Sequence, residues 1–139
     1  MALAPLANET AVPVQDMASL GSPSVTEVGA VATGAASAIA PALAAVAGKT
    51  NYLTGFSVDG LGATAASVIE VTVTGLLGGT KRYKLSIPAG ATLGLTSRLQ
   101  VEFARAIPAS AVNTAITLNV PSFGAGNTSS VAELHGFLI

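Results

Sequence analysis

A chain of 139 residues, half of them apolar, is long enough to bury the core of one domain without staples. It contains no cysteine, which excludes a disulfide framework and any thiolate metal site. Six basic and seven acidic residues leave a net charge of −1, and only 9% of the chain is charged against about 25% in ordinary soluble domains. So few scattered bases exclude the basic stripe that phosphate neutralisation requires, and nucleic acid is not an expected partner.

The charge that exists is unevenly placed. Residues 1–48 carry Glu9, Asp16 and Glu27 and no base, whereas Lys49, Lys81, Arg82, Lys84, Arg98 and Arg105 all lie beyond. Residues 1–20 have neither the basic n-region nor the sustained apolar core of a secretory signal. Residues 28–48 are uncharged, but Gly29, Thr33, Gly34, Ser37 and Pro41 interrupt them, so no membrane span is expected. Alanines at 35–40 favour a helix locally, and Pro41 cuts it short. With so few large side chains, residues 1–45 read as an extended N-terminal arm that orders against a neighbour.

Beyond residue 45 the texture becomes that of strands. Residues 51–59 place Tyr52, Thr54, Phe56 and Val58 on one side, and Gly60 and Gly62 close the run. Ile69, Val71 and Val73 then alternate with Glu70, Thr72 and Thr74, and after a glycine-rich turn Tyr83, Leu85 and Ile87 alternate with Arg82, Lys84 and Ser86. Folding these arms about Leu77 predicts a hairpin with Val71 opposite Tyr83, Ile69 opposite Leu85 and Glu70 opposite Lys84. A short run at residues 91–95 follows, then Leu99, Val101 and Phe103 alternating with Gln100 and Glu102, a strand that Ile107 and Pro108 are expected to end. Ile116, Leu118 and Val120 form another, and the last run sets Leu134, Gly136 and Leu138 against Glu133, His135 and Phe137. Its apolar end at Ile139 suggests a strand inserted into a sheet. Seven or eight short strands without an amphipathic helix predict an all-β, jelly-roll-like antiparallel β-sandwich over residues 46–139, with the extended N-terminal arm at 1–45.

Reactive chemistry is sparse. The string Ala47, Gly48, Lys49, Thr50 ends like a phosphate loop, but Leu43 stands where the upstream glycine is required, and a strand follows instead of a helix. His135 is the only histidine; with Glu133 on the same strand face it invites a base or metal role, yet a catalytic metal site usually needs three protein ligands. No nucleophile elbow is present, and Asp59, Glu70, Glu102 and Glu133 sit at solvent-facing or turn positions. Asn8 and Asn127 match the glycosylation pattern, which carries meaning only in a eukaryotic secretory setting. No enzyme activity, catalytic or metal-binding residue, or cofactor is therefore expected.

Residues 47–58 (AGKTNYLTGFSV), 73–80 (VTGLLGGT), 107–118 (IPASAVNTAITL) and 124–128 (GAGNT) resemble those of capsid cement, or decoration, proteins of tailed bacteriophages. The resemblance covers about residues 45–139 and implies a jelly-roll virion protein on the outer capsid surface. Its implied partners are the major capsid protein and itself, as a homodimer or homotrimer, and its role is to clamp neighbouring capsid subunits and stabilise the shell. No site residue carries over, because such proteins work by shape. The alternative is a receptor- or glycan-binding sandwich of a phage fibre or tail, which a groove shared by Tyr52, Tyr83 or Phe123 would favour.

Overall fold

The structure is a computed structural model that describes residues 25–90 and 96–139. Eight strands follow one another: β1 (Thr26–Gly34), β2 (Ala42–Leu43), β3 (Asn51–Leu61), β4 (Ser67–Thr74), β5 (Lys81–Ile87), β6 (Thr96–Pro108), β7 (Ile116–Asn119) and β8 (Ser130–Leu138). They form two four-stranded antiparallel sheets, ordered β1-β8-β3-β6 and β2-β7-β4-β5. Every pair equidistant from the β4–β5 turn is hydrogen-bonded: β4 with β5, β3 with β6, β2 with β7 and β1 with β8. The chain is thus one long antiparallel ribbon doubled at a single hairpin and then rolled, which adds the pairs β3–β8 and β4–β7. This is the double Greek key of a jelly roll, and the all-β sandwich expected from the alternation is the fold observed.

The hairpin has the predicted register, with Ile69 opposite Leu85, Glu70 opposite Lys84 and Val71 opposite Tyr83. Its inner face joins Leu53, Phe56, Val58, Ile116, Leu118, Phe123 and Leu134 in one core between the sheets. Phe56 is fully buried, with Tyr83 edge-on at 5.1 Å and Phe103 at 6.3 Å. Each such side chain contributes about 1.5–3 kcal/mol through the apolar area it removes from water. The outer face of the hairpin stays wet, as alternation requires.

Three expectations need correcting. First, the sandwich does not begin at residue 46. β1 pairs with β8 along its whole length, β2 pairs with β7, and Ile39 bridges Val120. Val28, Ala30 and Ala32 pack on the core, and Ile39 and Leu43 belong to it, so residues 26–43 are edge strands of their own domain and not an arm awaiting a neighbour. The rest of the expected arm, residues 1–24, lies outside the described residues, as does the run at 91–95. Second, residues 35–40 form bends and a bridge with no helix.

Third, β3 changes phase. Its register shifts between Leu53 and Gly55, so Asn51 and Leu53 face inward before the bulge and Phe56 and Val58 after it. Tyr52 and Thr54 therefore leave the face that they share with Phe56 in a regular strand. The Thr54 hydroxyl donates to the His135 carbonyl at 2.9 Å and fastens the bulge. On the partner strand the irregularity absorbs residues 103–106, and β6 continues through Pro108 opposite Tyr52 instead of ending before it.

Candidate functional site

The outer face of the β1-β8-β3-β6 sheet carries the only histidine. Across its middle the register aligns Gly29, His135, Gly55 and Glu102. His135 and Glu102 stand two strands apart, roughly 10 Å between backbones, and meet only because Gly55 leaves the gap open. A Cβ on Gly55 would lie 2.7 Å from both Glu102 Cδ and His135 Nε2. Nε2 of His135 is 3.0 Å from Glu102 Oε2; a carboxylate only accepts, so this bond places the ring proton on Nε2. The side chains are 42% and 54% exposed, which makes the contact solvent-screened. Sequence had set His135 beside Glu133, but its partner comes from β6.

A carboxylate-oriented imidazole is two-thirds of a hydrolytic triad, and no nucleophile completes it on this face in the described contacts. Among the described residues no group of three or more His, Asp or Glu side chains converges as a metal ion would need. Beside His135 runs an open groove of about 510 Å³ whose lining includes Glu27, Gly29, Thr54 and Phe137. At its rim Tyr52 stacks on Phe137, rings 5.0 Å apart and 5° from parallel. Tyr83 packs on Phe56 from the other sheet and Phe123 is buried, so the three aromatics of a shared binding groove are not brought together.

The charged side chains are sorted by sheet. Glu27, Glu102 and Glu133 are exposed on the outer face of the β1-β8-β3-β6 sheet with half-buried Asp59, and Arg98 stands among them. The outer face of the other sheet has Arg82 and Lys84 on either side of Glu70, at 2.5 and 2.9 Å, while exposed Lys81, opposite buried Val73, belongs to the inward-facing set at the strand's end. Lys84 and then Arg82 hold the Glu70 carboxyl below the usual carboxylate range. The four acids considered for paired-carboxylate chemistry thus divide between opposite faces, Glu70 alone on one.

The remaining polar motifs are structural. The Gly48 amide donates to Asn113 Oδ1, that of Lys49 to the Val46 carbonyl and that of Thr50 to the Ile139 carbonyl, so the amides a phosphate loop would aim at its ligand are already used. Asn127 is buried; its amide donates to the carbonyls of Leu61 and Ser129 and its Oδ1 accepts from the Ala36 amide. It ties three loops together and is closed to modification in the folded chain. Asn51, which alternation reads only as the start of a strand, is 1% exposed and donates to the carbonyls of Leu43, Ala44 and Thr114.

One end of the sandwich is apolar. Ile139 and Thr50 exchange backbone hydrogen bonds, the Asn113 amide reaches the Lys49 carbonyl and the Leu77 amide reaches that of Pro108. These ties gather Val25, Val46, Leu77, Val112 and Ile139 around the end where β8 finishes, all 36% or more exposed. Val31 and Val68 are the other exposed large hydrophobics among the described residues, and they lie on the two outer sheet faces. Nothing in hydrophobic periodicity marks these seven, since exposure here comes from loop ends and edge strands. Compared with known proteins, the chain matches no family model, no curated protein and no solved structure.

Proposed function

We propose that this chain is a structural virion subunit that sits on the outer surface of a tailed-phage capsid and clamps neighbouring major capsid subunits. One end of the sandwich carries this reading: Val25, Val46, Leu77, Val112 and Ile139 are all exposed there on strand ends and loops joined by backbone hydrogen bonds, apolar area that a permanent partner covers more readily than water does. The jelly-roll body, the scarcity of charge and the resemblance of residues 47–58, 73–80, 107–118 and 124–128 to cement proteins support it. Avidity over a symmetric lattice turns individually weak apolar contacts into firm attachment.

A clamp of this kind works by shape and burial, so its working residues are those of this end and not His135 or Glu102. The receptor- or glycan-binding alternative loses its expected groove, because Tyr52, Tyr83 and Phe123 lie apart. The test is co-sedimentation of the purified chain with capsids, counting copies per shell. Saturable binding at a symmetric copy number, weakened at least tenfold by L77D and V112D together, is expected. Binding unchanged by that double variant, or none to the shell, overturns the proposal.

A further inference from the structure

We propose that copies of this chain associate head to tail, the outer face of the β1-β8-β3-β6 sheet of one copy seated on the outer face of the β2-β7-β4-β5 sheet of the next. The occupant is named by charge. One face has Glu27, Asp59, Glu102 and Glu133 with Arg98; the other has Arg82 and Lys84 around Glu70. Glu70 engages Arg82 and Lys84 without hiding them, for their side chains remain 64% and 69% exposed. An incoming carboxylate therefore meets accessible cations.

Apolar contact is available at the same places. The two most exposed large hydrophobics among the described residues are Val31 and Val68, at 61% and 64%, and the two outer faces carry one each. Val31 lies across from Glu133 on the acidic face, and Val68 lies two residues from Glu70 on the basic one. The β2-β7-β4-β5 face is the smaller of the two, its strands having 2, 4, 8 and 7 residues, so the contact falls in the small, reversible class of interfaces.

The carboxylate-rich face laid on its own copy by a two-fold axis would oppose like charges. The complementary arrangement uses different patches on the two partners, a heterologous contact that propagates into a ring of three or more or an open row. This deepens the shell reading by naming the surface between copies, but its test requires no shell. Failure of self-association leaves capsid docking through the apolar end intact, and failure of docking leaves this interface intact.

The experiment is sedimentation of the full chain over a range of concentration and salt, with two charge-reversed variants. Arg82 and Lys84 are replaced in one (R82E/K84E), and Glu27 and Glu133 in the other (E27K/E133K). The parent is expected to form species of three or more copies, with association weakening about tenfold or more on raising salt from 0.05 to 0.5 M, roughly the range over which the Debye length falls from about 14 to about 4 Å. Each variant alone is expected to be monomeric, and an equimolar mixture to associate again, because every reversed face then meets its opposite. A monomeric parent overturns the proposal, whether residues 1–24 or some other partner covers these faces. So does a salt-insensitive two-fold dimer, or a mixture of folded variants that stays apart. Should a variant fail to fold, the salt titration of the parent decides.

Discussion

Two glycines on adjacent strands make opposite predictions from nearly the same chemical change. Gly136 of β8 lies against β3 so closely that an added Cβ would overlap the Tyr52 carbonyl oxygen and stand 3.0 Å from its carbon and 3.2 Å from Leu43 Cδ1. Tyr52 is held by its pairing to Phe137, so its carbonyl has no rotamer by which to leave, and G136A must push two central strands apart. Overpacking of this kind costs about 3 kcal/mol, the upper part of the usual range. For a domain of this size that lowers the melting temperature by about 10–15 °C.

At Gly55 the obstructing atoms are instead the ends of the Glu102 and His135 side chains, which swing into solvent. G55A breaks an exposed pair contributing under about 1 kcal/mol and recovers a similar amount from the reduced freedom of the unfolded chain. Its melting temperature is expected within about 2–3 °C of the parent, while the imidazole resonances of His135 shift as its contact with Glu102 is lost. Calorimetry and an NMR spectrum of both variants check this. A G136A protein as stable as the parent, or a G55A protein that melts as low as G136A, would refute the packing argument.

N51D is expected to destabilise by about 3–5 kcal/mol and more than N51A, because a buried carboxylate would face the carbonyls of Leu43, Ala44 and Thr114 where an amide now donates; urea unfolding measures the order. Because Glu70 has its folded-state pKa depressed by Lys84 and Arg82, its stabilising effect is present above its unfolded pKa and is lost as pH falls through the folded one. E70Q is therefore expected to melt below the parent at neutral pH, with the difference closing as pH falls through and below the ordinary carboxylate range, as a melting series on acidification would show. A gap that widens on acidification contradicts the assignment.

Much of the body was legible because alternation of period two sets which face each residue takes, and a tight turn then sets register. The hairpin pairs of Val71 with Tyr83 and Glu70 with Lys84 follow from those two facts alone. β1 was not legible, since its inward residues, Val28, Ala30 and Ala32, are small, and its partner strand lies about a hundred residues downstream. A weak strand signal paired at such distance looks like linker. Nor was the phase change in β3, where Thr54 and Gly55 continue a plausible alternation while the backbone inserts a bulge. The contact of His135 with Glu102 was hidden for the same reason: it depends on which strands neighbour β3, and on Gly55 between them having no side chain.

The ribbon topology bears directly on how charge is distributed. Consecutive strands alternate between the sheets except at the β4–β5 hairpin, so acidic residues as far apart as Glu27, Glu102 and Glu133 converge on one face. The bases of the opposite face, Arg82 and Lys84, come from the one segment that stays within a sheet. A surface tuned only for solubility intersperses both signs on every face. Here a net charge of −1 conceals one face rich in carboxylates and an opposite face that carries Arg82 and Lys84 around Glu70. Near-zero net charge removes the long-range repulsion that keeps copies apart, and opposed faces supply a direction in which to stack. Charge scarcity and charge sorting therefore act together, the first permitting close approach of copies and the second deciding which faces meet.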